Sequence, residues 1–324
     1  MRTPFPYVDG LCFWGTDADV QASGLSAFIC DVSAHEDGTV VRDFAGVAAA
    51  LSGALASGGR VFVATTGDEV RGAWAEGRTA AVLQVQGCDC LEGQLERIHE
   101  LWSRGLRVLQ VTHHRDNAFG GGCLERWPTG LTSLGVEAVE RMNGLGVIPD
   151  VSHASSPTAL DVVRVSKRPV IVSHTGPAAI VNHPRCASDD VLRAVAASGG
   201  VAGLFMMSFW VTDAPVATAD AWVQSLRHMV KVAGIEHVGV ANDFPLAGER
   251  RGTVEPYLPW WAQQAERGVP GFERPPAHVV FPEFNHLGRM DAIHDALARA
   301  GFSGRECELV LGGNWLRVLG EELR

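Results

Sequence analysis

Along this chain, short runs rich in β-branched and other apolar residues alternate with longer stretches whose apolar positions recur every three to four residues. The short runs lie at 26–32, 60–64, 80–86, 106–112, 147–151, 169–173, 200–205 and 237–241. The longer ones lie near 43–57, 90–104, 132–145, 155–166, 187–198 and 218–233. The first kind predicts strands and the second amphipathic helices. Tyr7-Val8 adds a strand-like start, and 201–211, the most apolar stretch, predicts a buried strand. Boundary residues agree: Ser155 and Ser188 stand where helices should begin, and Gly105, Gly146, Gly199 and Gly234 where they should stop. Strands alternating with helices imply a parallel sheet with helices outside, and this many units favours closure. The expected fold is α/β, a (β/α)8 TIM-type barrel.

Two stretches break the rhythm. Residues 245–282 are too many for an ordinary connection, so a long loop insertion is expected after the last barrel strand. Its Tyr257, Trp260, Trp261 and Phe272, set among prolines, suit a lid or an oligomer contact. Phe119-Gly120-Gly121-Gly122 has no dinucleotide or P-loop context and is expected to be a flexible loop.

Composition narrows the picture. A length of 324 residues with 46% hydrophobic content suits one barrel domain spanning 1–324. The net charge is −10 and basic residues are scattered, Glu249-Arg250-Arg251 excepted, so nucleic acid is not an expected partner. No apolar run approaches the roughly 20 residues needed to cross a bilayer, and the amino terminus shows no signal core, so no membrane partner is expected. The cysteines number seven, an odd set that fits reduced thiols. The cytoplasm is the expected location.

Candidate chemistry sits where strands should end. Asp150-Val151-Ser152-His153 and Ile171-Val172-Ser173-His174 each close a β-branched run on a histidine, and Val238-Gly239-Val240-Ala241-Asn242-Asp243 closes a third on an aspartate. A parallel barrel gathers such groups at one mouth, where imidazoles and a carboxylate converge on one ion or one water. Cys88-Asp89-Cys90, with Cys12, offers thiolates as further ligands, a weak signal without a second pair. Ser152-His153 does not read as a serine hydrolase, since adjacent strand residues face opposite sides and no nucleophile elbow is present.

These segments, together with His183-Pro184-Arg185, Asp189-Asp190-Val191-Leu192 and Gly313-Asn314-Trp315-Leu316-Arg317-Val318, resemble the membrane (renal) dipeptidase family of amidohydrolase-like metallohydrolases. The likeness runs nearly end to end, in order. It implies a barrel that hydrolyses dipeptides with two zinc ions and assembles as a homodimer. It also implies metal ligands at His153 and His174. At the family's other ligand positions stand Leu11 and Phe13, in Asp9-Gly10-Leu11-Cys12-Phe13, and Gln86, in place of a bridging glutamate. Leucine and phenylalanine offer no lone pair, and a neutral amide oxygen is a poor zinc ligand, so one divalent ion, zinc, on His153, His174 and Gln86 is the expectation. Two buried histidines without metal are the alternative.

The resemblance further makes His113 a stabiliser of the tetrahedral intermediate, Arg185 the residue that engages the substrate, and Asp243 the group that takes the water's proton. Simpler roles stand beside these: a strand-end histidine, an arginine paired with Asp189 or Asp190, and a carboxylate capping a loop. The expected function is hydrolysis of a dipeptide or small amide bearing a carboxylate by metal-activated water. Opposed to it is a catalytically idle or repurposed barrel that binds or transforms a small amino acid derivative without dipeptide hydrolysis.

Overall fold

The computed structural model describes residues 3–33, 41–56, 59–246 and 253–324; Glu249-Arg250-Arg251 lies outside them. Nine strands appear among the described residues: β1 (Tyr7–Cys12), β2 (Leu25–Asp31), β3 (Val61–Val63), β4 (Thr79–Val85), β5 (Leu106–Gln110), β6 (Ile148–Asp150), β7 (Val172–Thr175), β8 (Ala202–Leu204) and β9 (Val238–Val240). Every strand pairing is parallel. Pairing runs β1-β2-β4-β5-β6 in one sheet and β7-β8-β9 in the other. Two seams join the sheets. Val151 N donates to Ile171 O at 2.9 Å and Ile171 N to Pro149 O at 3.0 Å, linking β6 to β7. Asn242 N and Asp243 N both donate to Leu11 O, at 3.0 and 2.8 Å, linking the end of β9 to β1.

The expected barrel is present, with one exchange among its staves. The run at 60–64 forms β3, which pairs only with the start of β4 and lies off the ring, while β1 takes the eighth place. The 201–211 strand expectation is also corrected. Only Ala202–Leu204 is extended, and the chain then turns through Ser208–Trp210, which puts Phe209 and Trp210 at the mouth.

Ring closure explains why the strands read as continuous apolar runs, since both faces are covered. Alternate residues such as Phe28, Cys30, Ala81, Leu83 and Leu109 join the apolar sides of the surrounding helices, including Leu51, Ile98 and Val139. The other set, including Val8, Ile29, Val82, Val108 and Ile148, gathers with Trp315. Trp315 fits because glycines face it: a Cβ on Gly10 or Gly239 would stand 2.3 or 2.2 Å from its ring. Its indole N–H donates to Val240 O at 3.0 Å.

The helices follow their boundary residues. Ser155 and Ser188 accept from Thr158 N and Val191 N, capping Ser156–Val165 and Asp189–Ala197. Gly146, at φ +74°, ends Ser133–Leu145 in the left-handed conformation that glycine adopts without penalty. After β9, the chain carries a helix at Leu258–Glu266 that brings Trp260 over the mouth. The glycine segment at 120–122 is buried, contrary to the flexible loop expected. A Cβ on Gly122 would fall 2.4 Å from the His114 carbonyl carbon, so the missing side chain lets this loop press against the backbone beneath His114.

Candidate active site

The strand ends deliver their polar groups to one end of the barrel. Asp31 ends β2, Gln86 follows β4, His113 and His114 follow β5, His153 follows β6, His174 lies in β7, and Asp243 follows β9. Most of them border a cavity of about 510 Å³, whose wall also includes Phe13, Arg42, Phe209, Trp210, Tyr257 and Trp260.

Asp150 organises the two Ser-His segments. Its carboxylate accepts from Ser152 N and Ser173 N, both at 2.9 Å, from Ser173 Oγ at 2.6 Å and from Gln84 Nε2 at 2.8 Å. Ser173 Oγ in turn lies 2.8 Å from His174 Nδ1, and Ser152 Oγ accepts from His174 N at 3.1 Å. The buried aspartate thus fixes both turns at once, and the Nε2 atoms of His153 and His174 meet at 2.8 Å. Asp243 Oδ1 lies 3.9 Å from His174 Nε2. His153 and Asp243 both hold positive φ, +61° and +58°, a conformation costing non-glycine residues about 1–3 kcal/mol and concentrated at functional sites.

Two guanidinium groups flank the histidines. Arg185 Nη2 donates to His153 Nε2 at 2.9 Å, and both of its terminal nitrogens donate to His174 O at 3.2 Å. Arg185 is 2% exposed and does not border the cavity. It pairs with neither Asp189 nor Asp190, which meet Arg193. On the other side, Arg42 Nη2 donates to His113 Nδ1 at 2.9 Å and Nη1 to Gln86 O at 3.4 Å. A guanidinium only donates, so His113 Nδ1 accepts and the neutral ring carries its proton on Nε2.

Burial first, and then these cations, hold the histidines neutral. His153 and His174 are pushed well below the usual imidazole range by burial and next by Arg185. His113 is lowered by burial and then Arg42, and His114 by burial and then His113. Burial pushes the Asp31 carboxyl up, while hydrogen bonds from Ser33 and the charge of Arg42 draw it back.

The positions at which the family resemblance places metal ligands differ in what they offer. Leu11 is fully buried and its carbonyl joins the barrel seam, whereas Phe13 and Gln86 border the cavity. Neither apolar side chain has a lone pair, so a first ion on these residues does not fit. Around His153 the donor chemistry does fit a single ion. Two imidazole nitrogens converge there, and a ring nitrogen of His114 lies within 4.8 Å of one of His153. Buried His114 Nε2 and His153 Nδ1 lack hydrogen-bond partners. The thiol alternative is corrected: Cys12, Cys88 and Cys90 lie in the apolar core, and burial raises all three, Cys90 to about 12.

His114, Arg42 and Asp31 join the site without having been singled out in the sequence. For His114 a signal existed. Once β5 ends at Gln110, side chains no longer alternate between faces, so both members of His113-His114 can reach the mouth. For Asp31 a signal existed too, since it ends the apolar strand β2 as Asp243 closes its own run, whereas Arg42 stands at no distinctive spacing and closure alone brings it to this mouth.

A family model described as membrane dipeptidase (peptidase family M19) matches residues 19–253. The chain is 34% identical over 189 residues to dipeptidase verJ of Clonostachys rogersoniana, covering 57% of this chain and 48% of that protein. It is 33% identical over 192 residues to an uncharacterized dipeptidase of Schizosaccharomyces pombe, covering 56% and 45%. The aligned region thus spans about half the length of these curated relatives. Among solved structures, an amidohydrolase from Pseudomonas aeruginosa superposes with a TM-score of 0.83 at 24% identity, covering 98% of this chain and 97% of the other. A metallopeptidase from Rhodobacter sphaeroides, liganded with a phosphinate mimic of the dipeptide L-Ala-D-Ala, superposes at 0.79 with 19% identity, covering 99% of each. Likeness at these identities establishes the shared fold.

Proposed function

Because the chain belongs to the membrane dipeptidase family, we propose that it hydrolyses a dipeptide or small amide bearing a carboxylate, using water activated at one divalent ion, zinc, held by His153 and His174 with Gln86 as a neutral oxygen donor. The observation that carries this reading is the meeting of the two Nε2 atoms at 2.8 Å with the Asp243 carboxylate 3.9 Å from one of them. When bound, such an ion makes water acidic enough to supply a nucleophile near neutral pH. Asp243, projecting from its left-handed turn into the cavity, takes the water's proton. His113, with Nδ1 occupied by Arg42, turns an Nε2–H donor toward the oxygen that gains charge as the carbonyl is attacked. Arg185 acts as a positioning residue that fixes the rings of His153 and His174.

Two observations favour the second reading, a barrel that binds an amino acid derivative without hydrolysing it. Arg185 already occupies the His153 Nε2 lone pair, and the Leu11, Phe13 and Gln86 positions offer no anionic ligand. The two readings separate on metal content and turnover. Elemental analysis of protein purified without chelator is expected to give about one transition-metal ion per chain, lost in His153→Ala, together with dipeptide hydrolysis that a strong chelator abolishes. Protein free of metal, or turnover indifferent to the chelator, would sink the mononuclear hydrolase. One functional unit across 1–324, a homodimer and a cytoplasmic setting belong to the same proposal. The seam between β9 and β1 supports the first, and the free thiol state of all seven cysteines the last.

A further inference from the structure

Of the two guanidinium groups that touch the histidines, only Arg42 faces the cavity. Arg185 lies behind the imidazoles under the rings of Phe205 and Trp210, its carbon 5.2 and 5.5 Å from their centroids. Arg42 is half-buried and sits where the 510 Å³ cavity adjoins a second hollow of about 390 Å³, bordering both. A guanidinium carries five N–H donors, and among the described residues Arg42 spends them on His113 and on Gln86 O. Its placement is fixed before any ligand arrives, which lowers the ordering cost of binding.

The remaining charges set the polarity of the ligand. The carboxylates at the cavity are Asp31, engaged by Ser33 N and Oγ at 2.9 and 2.7 Å, and Asp243 beside His174. The second hollow adds Asp89, Arg115 and Arg267, and Arg115 donates to Leu124 O at 2.6 Å and to Gln264 Oε1. Apart from Gln86, the rest of the main cavity wall is largely apolar: Phe13, Met207, Phe209, Trp210, Tyr257 and Trp260. The cavity thus sets one planar cation, close enough to Asp31 for its charge to draw that carboxyl down, beside Asp243 and a hydrophobic wall. Guanidinium geometry matches a carboxylate.

The geometry points to Arg42 as the group that holds the carboxylate of the ligand, and to an N-acyl or N-aminoacyl amino acid with an aromatic or bulky aliphatic side chain as the ligand class. In such a compound the acyl carbonyl carbon and the carboxylate carbon are three bonds apart, roughly 3–4 Å. Arg42 and His113 are themselves neighbours at 2.9 Å, so a carboxylate on the first brings the acyl carbonyl to the second. This deepens the hydrolase reading and rests on it for turnover, while the binding itself does not require hydrolysis.

Binding of N-acetylphenylalanine, each enantiomer, and of its carboxamide tests the assignment by calorimetric titration of the purified protein. At least one enantiomer of the acid is expected to bind tenfold or more tighter than its amide. Arg42→Gln should erase that preference, and Arg42→Lys should restore part of it. Retention of the preference in Arg42→Gln, or its loss in Arg185→Gln alone, would overturn Arg42 as the anchor. Equal affinity for N-acetylglycine, or no binding of any of these compounds, would overturn the ligand class. If the acid preference depends on Arg42 but no dipeptide is turned over, the hydrolase reading fails and the anchor stands. Matching melting curves of the variants exclude misfolding as the cause.

Discussion

His183 shows how one buried side chain links site architecture to solution behaviour. It packs against Trp210, Trp261 and Phe272, with ring centroids at 5.4, 5.8 and 4.7 Å, and its Nδ1 accepts from Arg185 N at 3.0 Å. Burial, and then the charge of Arg185, lower its pKa from 6.5 to about 3. The unfolded chain therefore binds a proton that the folded chain refuses between those limits. Stability is unaffected by this group above about pH 6.5 and falls as pH drops toward 3, by up to about 1.4 kcal/mol per pH unit. Denaturant titrations between pH 7 and 4 should show this decline, with a slope smaller by about one proton in His183→Gln; an unchanged slope refutes the assignment. Asp243 offers a different readout. If it takes the water's proton, Asp243→Asn should lower kcat by about 10²–10⁴-fold while ligand affinity persists. Turnover within a few-fold of the parent would remove it from that role. The sequence exposed His153, His174 and Asp243 because each ends an apolar run. Asp31 closes an apolar run in the same way, whereas Arg42 stayed hidden because nothing in its local spacing points to the mouth.

Among the elements, the strands were legible in proportion to the burial of both their faces. The run at 60–64 satisfied the same local pattern yet became β3 at the edge of β4, because pairing partners are chosen by space in the ring and not by composition. The 201–211 run was apolar for two separate reasons: β8 is a barrel stave, whereas Phe209 and Trp210 wall the cavity. Helix ends were easier, since a cap is made within a few residues of chain. The contact between strands and the carboxy-terminal helix supplies a test at this scale. Gly10 leaves room for Trp315, and a methyl group there would stand 2.3 Å from the ring. Gly10→Ala is expected to destabilise by about 1–3 kcal/mol and Trp315→Ala by about 3–5 kcal/mol. Combining them should cost less than the sum, because the second change removes the clash created by the first. Additive losses in chemical denaturation would show that the two do not meet.

For the whole molecule, closure decides everything that the mouth can do. The segment after β9 lays Trp260 against His114, with ring centroids 5.7 Å apart, so part of the expected insertion covers the chain's own cavity. Sedimentation velocity at micromolar concentration should give a species near twice the 34.6 kDa chain mass, and a single species at the chain mass would rule the dimer out under those conditions. By itself the sequence determined the strand and helix alternation, the barrel class and the histidine-ended strands. Those features are written in local periodicity and in residue identity at ordered motifs. Only the tertiary structure decided that Arg185 lies behind the imidazoles and Arg42 in front, that Asp150 braces both Ser-His turns, and that the cysteines face the core. Such relations join residues far apart in the chain. They depend on which side of a strand end each group leaves the closed ring, and local pattern does not carry that information.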